Sequence, residues 1–194
     1  MQTLGVSDST PQSESRLKNI FWPTIRSGTD VDTLGSQGFW ICVAIGVLTL
    51  AANLVAGYSI AGVCLLIYYY LGGVGVRERS CYAAVVVFAM AAADFALKPA
   101  IVGFFCCVLL VSVMRATFIA SFWERKEGVT EMPMRFNETW KDKFADQWPA
   151  KMWPKLRYVY YVYSAGFLVL VTIGVAMLFL QRAGLIPTRL PLHR

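Results

Sequence analysis

Three ionisable residues, Asp94, Lys98 and Arg115, stand inside or beside apolar runs of membrane-spanning length, all within the stretch Arg79 to Trp123. A charge in hydrocarbon is costly, so intramembrane polar residues of this kind point first to a proton relay or an ion path. A local reading competes with that one. Asp94 lies three residues before Leu97, about 5 Å along a helix, so its carboxylate can reach a headgroup layer or pair with Lys98. Long basic side chains near helix ends snorkel to water. Arg115 follows Ala100 by fifteen residues, roughly 22 Å at the helical rise, which sets it near the opposite membrane face from Asp94. It is expected to snorkel there or to meet Glu78, and the three charges then mark boundaries and do not form one centre.

Other chemistry is thin. The sole histidine is His193, beside the last residue, so a haem ligand, a bis-His metal site and Ser-His or Cys-His dyads lose their base or ligand. Glu124, Glu127 and Glu131 follow helical spacing but lack further oxygen donors at metal spacing, and read as a solvated face. No phosphate-loop or dinucleotide fingerprint occurs, and Gly72, Gly73 and Gly75 sit where close helix packing explains them. The five cysteines, Cys42, Cys64, Cys81, Cys106 and Cys107, lie in or at the edges of apolar runs without CxxC spacing, as buried hydrophobes do. No catalytic residue, metal or cofactor is therefore expected.

The elements that carry these residues are membrane segments. With 57% hydrophobic and 15% charged residues, the chain is far more apolar than a soluble domain, and its runs of roughly 18 to 23 apolar positions match a bilayer core of about 30 Å. The expected fold is an all-α, polytopic transmembrane bundle of five spans with an interfacial helix in the last cytoplasmic loop. Residues 1–14 read as disordered and carry no signal-peptide pattern. Residues 15–37 hold a surface-lying anchor, Leu17, Ile20, Phe21 and Trp22 opposite Arg16, Lys18 and Arg26, stopped by Pro23; Thr29 and Asp32 then start the first helix. The four-span core covers 38–123, with spans at about 38–56, 59–76, 80–97 and 100–123. Asn53 is expected to face another helix, and Pro99 separates the third span from the fourth.

Residues 124–156 form the one long polar connection, broken by Pro133, Pro149 and Pro154. Within it Asn137 caps an amphipathic helix to about Gln147, and Trp140, Phe144, Trp148 and Trp153 make an aromatic surface that anchors to the bilayer or docks a protein partner. The fifth span covers 157–182, opened by an aromatic belt of Tyr158, Tyr160, Tyr161 and Tyr163, and the tail 183–194 is extended. Counted by segment, thirteen Lys and Arg fall on the N-terminal side of the membrane and four on the other, with Arg115 inside the fourth span; the N-terminus is therefore cytoplasmic. The net charge of +6 sits at span ends, so its counter-charge is anionic lipid and not nucleic acid.

The segments FWPTIR (Phe21 to Arg26), QGFW (Gln37 to Trp40) and MRATF (Met114 to Phe118) together resemble an uncharacterised family of small bacterial multi-pass membrane proteins. In that family an FWP-type segment precedes four spans and an R-[GA]-T-[FW] element closes the fourth. The likeness covers Phe21 to Trp123, and this chain departs from it by adding the aromatic loop and a fifth span. The resemblance implies a bacterial inner-membrane location and an architecture, and carries over no site residues. The functional expectation is a non-catalytic scaffold or accessory subunit with a protein partner or a second copy of itself; a small solute or proton carrier using Asp94, Lys98 and Arg115 is the alternative.

Overall fold

A computed structural model describes residues 21–25, 27–97, 99–127 and 140–184. All regular structure among them is helical, in the order α1 (Gly28–Val55), α2 (Ser59–Arg77), α3 (Cys81–Leu97), α4 (Ile101–Glu127), a short turn of helix at Trp140–Asp142, a π-helical turn at Lys143–Gln147, and α5 (Trp148–Arg182). Four helical stretches are long and apolar enough to cross a membrane: α1, α2, α4 and the run Lys143–Gln181. The fifth apolar helix, α3, has 17 residues. Side chains such as Val55, Ile60, Ile101 and Val162 lie bare on the outer surface, which suits a hydrocarbon environment and not water.

The first helix starts earlier than Thr29 and Asp32 suggested. Ser27 caps it, accepting at Oγ from the Asp30 amide, while the Asp30 carboxylate accepts from the Ser27 amide at 3.1 Å, a reciprocal capping box. Thr29 is not available as a cap because its hydroxyl bonds Ser27 Oγ at 2.7 Å, and the Asp32 carboxylate is engaged by Arg79 at 2.8 Å. The α1–α2 turn closes on Gly57 at φ 81°, with the Tyr58 amide donating to the Asn53 carbonyl at 2.8 Å. The Asn53 amide turns back to the Thr49 carbonyl at 2.8 Å, while its Cβ packs against Gly62 of α2.

The central element is α2, half of whose apolar stretch is buried against only 6% for the last helix. It touches α1, α3, α4, α5 and the π-helical turn. Two of its glycines are required by close approach. A Cβ on Gly72 would run into Val87 of α3 and lie 2.8 Å from the Tyr160 hydroxyl, and a Cβ on Gly75 would meet Trp153 and lie 2.5 Å from Ala83. Around them Phe39, Cys42, Tyr68, Val74, Val87 and Tyr160 are fully buried.

The last helix differs from expectation in its start and in its tyrosines. Pro149 and Pro154 do not break it. Pro149 comes just after the π-helical turn and Pro154 lies inside α5 on an exposed face; each removes one backbone donor without ending the helical run. The helix therefore opens at Trp148 and not at Arg157; Asn137 and Pro133 lie outside the described residues. Its 35 residues extend over about 52 Å, longer than a bilayer core of about 30 Å. Of the four tyrosines read as a belt, Tyr158 is exposed but Tyr160 is buried, because Tyr160, Tyr163 and Phe167 share a helical face turned onto Tyr68. The Tyr163 hydroxyl donates to the Cys64 carbonyl at 2.9 Å, and the Tyr68 hydroxyl to the Val86 carbonyl at 3.1 Å.

Gly75→Ala is expected to lower stability by about 1 to 3 kcal/mol, the usual cost of overpacking a filled core, seen as a reduced unfolding midpoint in detergent. Gly166, around whose Cβ position no atom lies within 4 Å, serves as the control, and Gly166→Ala should hold or raise the midpoint, alanine being the better helix former.

Candidate functional site

Alternating helix directions bring the start of α1, the end of α2, the end of α4 and the π-helical turn to one end of the bundle, and there the buried charges meet. Arg77 closes α2 and is 3% exposed; Asp146, in the π-helical turn, is 4% exposed. A single oxygen of Asp146, Oδ1, accepts from Arg77 Nε at 2.7 Å and lies 2.6 Å from Nη2. The remaining nitrogen, Nη1, donates to the Asp32 carbonyl at 3.0 Å and stands 3.7 Å from the Asp32 carboxylate. Arg79 continues the network, with Nη2 at 2.8 Å from Asp32 Oδ1 and Nη1 at 3.7 Å from Glu124.

Local structure sets these positions. Arg79 occupies the α2–α3 turn at φ 57°, a left-handed conformation that a side chain adopts at some cost and that its ion pairs hold in place. The π-helical turn adds width to the helix start and turns Ala145 and Asp146 inward while Lys143 stays exposed. The signs also follow the helix dipoles: Asp32 and Asp146 stand near the beginnings of α1 and α5, and Arg77 at the end of α2. Each guanidinium is held by carboxylates of the same chain, so the arrangement ties helix ends together.

Of the sequence-predicted polar residues, Asp94 and Arg115 lie apart from this network and from each other. Asp94 is exposed near the opposite end of α3 and lines a cavity with Thr49, Tyr69 and Cys106; Lys98 is outside the described residues. Arg115 meets neither Glu78 nor the network. Its Nη1 donates to the Pro23 carbonyl at 3.3 Å, and its guanidinium lies 4.8 Å from the Trp22 ring centroid. Phe21 reaches Phe105, with ring centroids 5.7 Å apart, ten residues or about 15 Å back along α4. The described part of the expected surface anchor, residues 21–25, thus runs lengthwise beside α4. A guanidinium midway along an apolar helix needs an acceptor, and an extended segment before a capped helix supplies a carbonyl that no ladder uses.

Nor do the four loop aromatics make one outward stripe. Trp140 and Trp148 are 71% and 52% exposed, while Trp153 is 8% exposed and packs on Gly75, Tyr160 and Tyr161. Phe144 is half-buried, stacked by Trp140 from outside and meeting Phe39, Trp40 and Tyr70 inside. Sequence reading took Asp32 for a helix start and did not single out Arg77 or Asp146 as site residues. The available signal was Arg77-Glu78-Arg79 in a turn too short to hold two arginines apart, with Asp146 the lone acid between Lys143 and Lys151.

Removing one partner of a buried pair leaves the other charge stranded, at about 3 to 5 kcal/mol. Arg77→Met or Asp146→Asn should therefore depress the unfolding midpoint sharply or abolish folded yield. Arg77→Met with Asp146→Leu together should recover much of it, since an apolar pair is often no worse than a buried ion pair; a double variant as poor as the singles would refute a purely structural role.

No family model matches the chain, and searches of curated proteins and of solved structures likewise find no match.

Proposed function

We propose that the chain is a five-span integral membrane protein of the bacterial inner membrane, with its N-terminus cytoplasmic, that acts as a non-catalytic scaffold or accessory subunit. The observation that carries this reading is the internal engagement of the buried charges. Arg77, Arg79, Asp32 and Asp146 hold one another, while Trp140 and Trp148 at the same end face outward. Charges that hold one another across helix ends brace a bundle, and outward aromatics beside them offer a contact surface, Trp being a frequent interface anchor.

The five-span count is supported by topology. The turn at Gly57 and the break at Pro99 lie at the end opposite the ion network, so α3 has to travel between the ends although it has only 17 residues, about 25 Å. The excess of Lys and Arg on the network side makes that side cytoplasmic, and Trp140 to Gln147 then lies in the headgroup layer with Lys141 and Lys143 exposed. A carrier reading keeps one supporting observation, the cavity beside Asp94, but Arg115 is engaged by Trp22 and Pro23.

Photo-crosslinkers at positions 140 and 148 should trap a stoichiometric adduct of defined mass, either another protein or a second copy. Trp140→Ala with Trp148→Ala should weaken that association by about 2 kcal/mol, roughly thirtyfold. A protein that stays monomeric and uncrosslinked in gently solubilised membranes would sink the scaffold reading. Solute or proton flux in proteoliposomes that falls with Asp94→Asn, Lys98→Met or Arg115→Met would establish the carrier instead.

A further inference from the structure

At the end opposite the ion network, α1, α2, α3 and α4 part around a cavity of ≈ 270 Å³ that opens to the outer surface. Ile45, Leu48, Phe95 and Val102 make its walls apolar, and Tyr69 on α2, 2% exposed, closes its depth. Asp94 is the one carboxylate in the lining, and it is exposed. No hydrogen bond or ion pair among the described residues engages it, in contrast to Asp32 and Asp146.

A bare carboxylate beside hydrocarbon is stabilised by taking up a proton or by meeting a cation. Carbon walls of this kind take an apolar body, with one polar group fixing its orientation. We propose that the cavity binds a hydrophobic ammonium ion, its apolar body against Ile45, Leu48, Phe95 and Val102 and its nitrogen at the Asp94 carboxylate. The site lies at the far end from Trp140 and Trp148, and it stands or falls independently of the scaffold reading.

The test uses the full chain in nanodiscs of zwitterionic lipid, titrated with 4-phenylbutylammonium and with the neutral 4-phenylbutanol, binding being read from thermal shifts. The amine should bind about tenfold tighter than the alcohol, the factor a charge-assisted hydrogen bond of about 1.4 kcal/mol gives. Asp94→Asn should erase that difference while leaving the alcohol's affinity in place. Ala100→Leu, which narrows the cavity without touching the carboxylate, should weaken both probes. Equal affinity for the two probes, or an amine affinity indifferent to Asp94→Asn, would overturn the proposal. If Asp94→Asn does not fold, unchanged binding of both probes to Ala100→Leu overturns it. Amine binding seen only in Lys98→Met would also overturn it, since the carboxylate would then belong to the chain's own lysine.

Discussion

The bundle depends on the contact between the Arg77 guanidinium and the Asp146 carboxylate, braced by Asp32. A guanidinium enclosed by protein loses its hydration, and only close donors and acceptors of opposite charge offset that loss. Here three of its nitrogens reach oxygen, two on Asp146 and one on the Asp32 carbonyl. The consequence is architectural. The start of α1, the end of α2 and the π-helical turn before α5 cannot separate without stranding a charge, and Arg79 extends the same constraint to α4 through Glu124. Elements remote in the chain are thereby fixed at one end by a handful of atoms.

Above that anchor the helices hold together by shape. Hydrocarbon solvent gives little drive for apolar side chains to leave it, so association rests on close packing and on polar groups shared between helices. Gly72 and Gly75 let Val87, Tyr160, Ala83 and Trp153 come to the α2 backbone, and tyrosine hydroxyls of α2 and α5 reach carbonyls on neighbouring helices. Beyond Phe167 the cover of α5 thins: Leu168 and Val171 still pack on the core, while Val169, Leu170, Ile173 and Phe179 are bare. The molecule is thus tight at the network end and loose at the other, where a cavity opens between α1 and α4.

Much of the helical plan was legible in the amino-acid order, because a 20-residue apolar run admits few structures in a bilayer. The spans at 59–76, 80–97 and 100–123 lie within a few residues of α2, α3 and α4, and the α2 glycines were readable as packing sites. The faces of the last helix were harder. Four tyrosines in six positions look like an interfacial belt by composition, yet a helix turns 100° per residue, and Tyr160 points into the bundle while Tyr158 points out. Pro149 and Pro154 misled because a proline inside a helical run costs one backbone hydrogen bond but need not end the run.

The hardest distinction lay between depth in the membrane and burial in the protein. A sequence reveals the first, because the distance of a charge from the end of an apolar run can be counted, and by that measure Asp94 and Arg115 stood out while Arg77 marked a boundary. Burial is a separate coordinate, set by what packs sideways. Asp94 lies within an apolar run and is exposed, whereas Arg77 closes one and is enclosed because Asp32 and Asp146 come from 45 and 69 residues away. Arg115 is intermediate in both senses, meeting a backbone carbonyl and a tryptophan face that precede α1. In a helical membrane protein the charge most tightly bound into the fold can therefore sit at a run's end, where a hydropathy reading expects only a terminus.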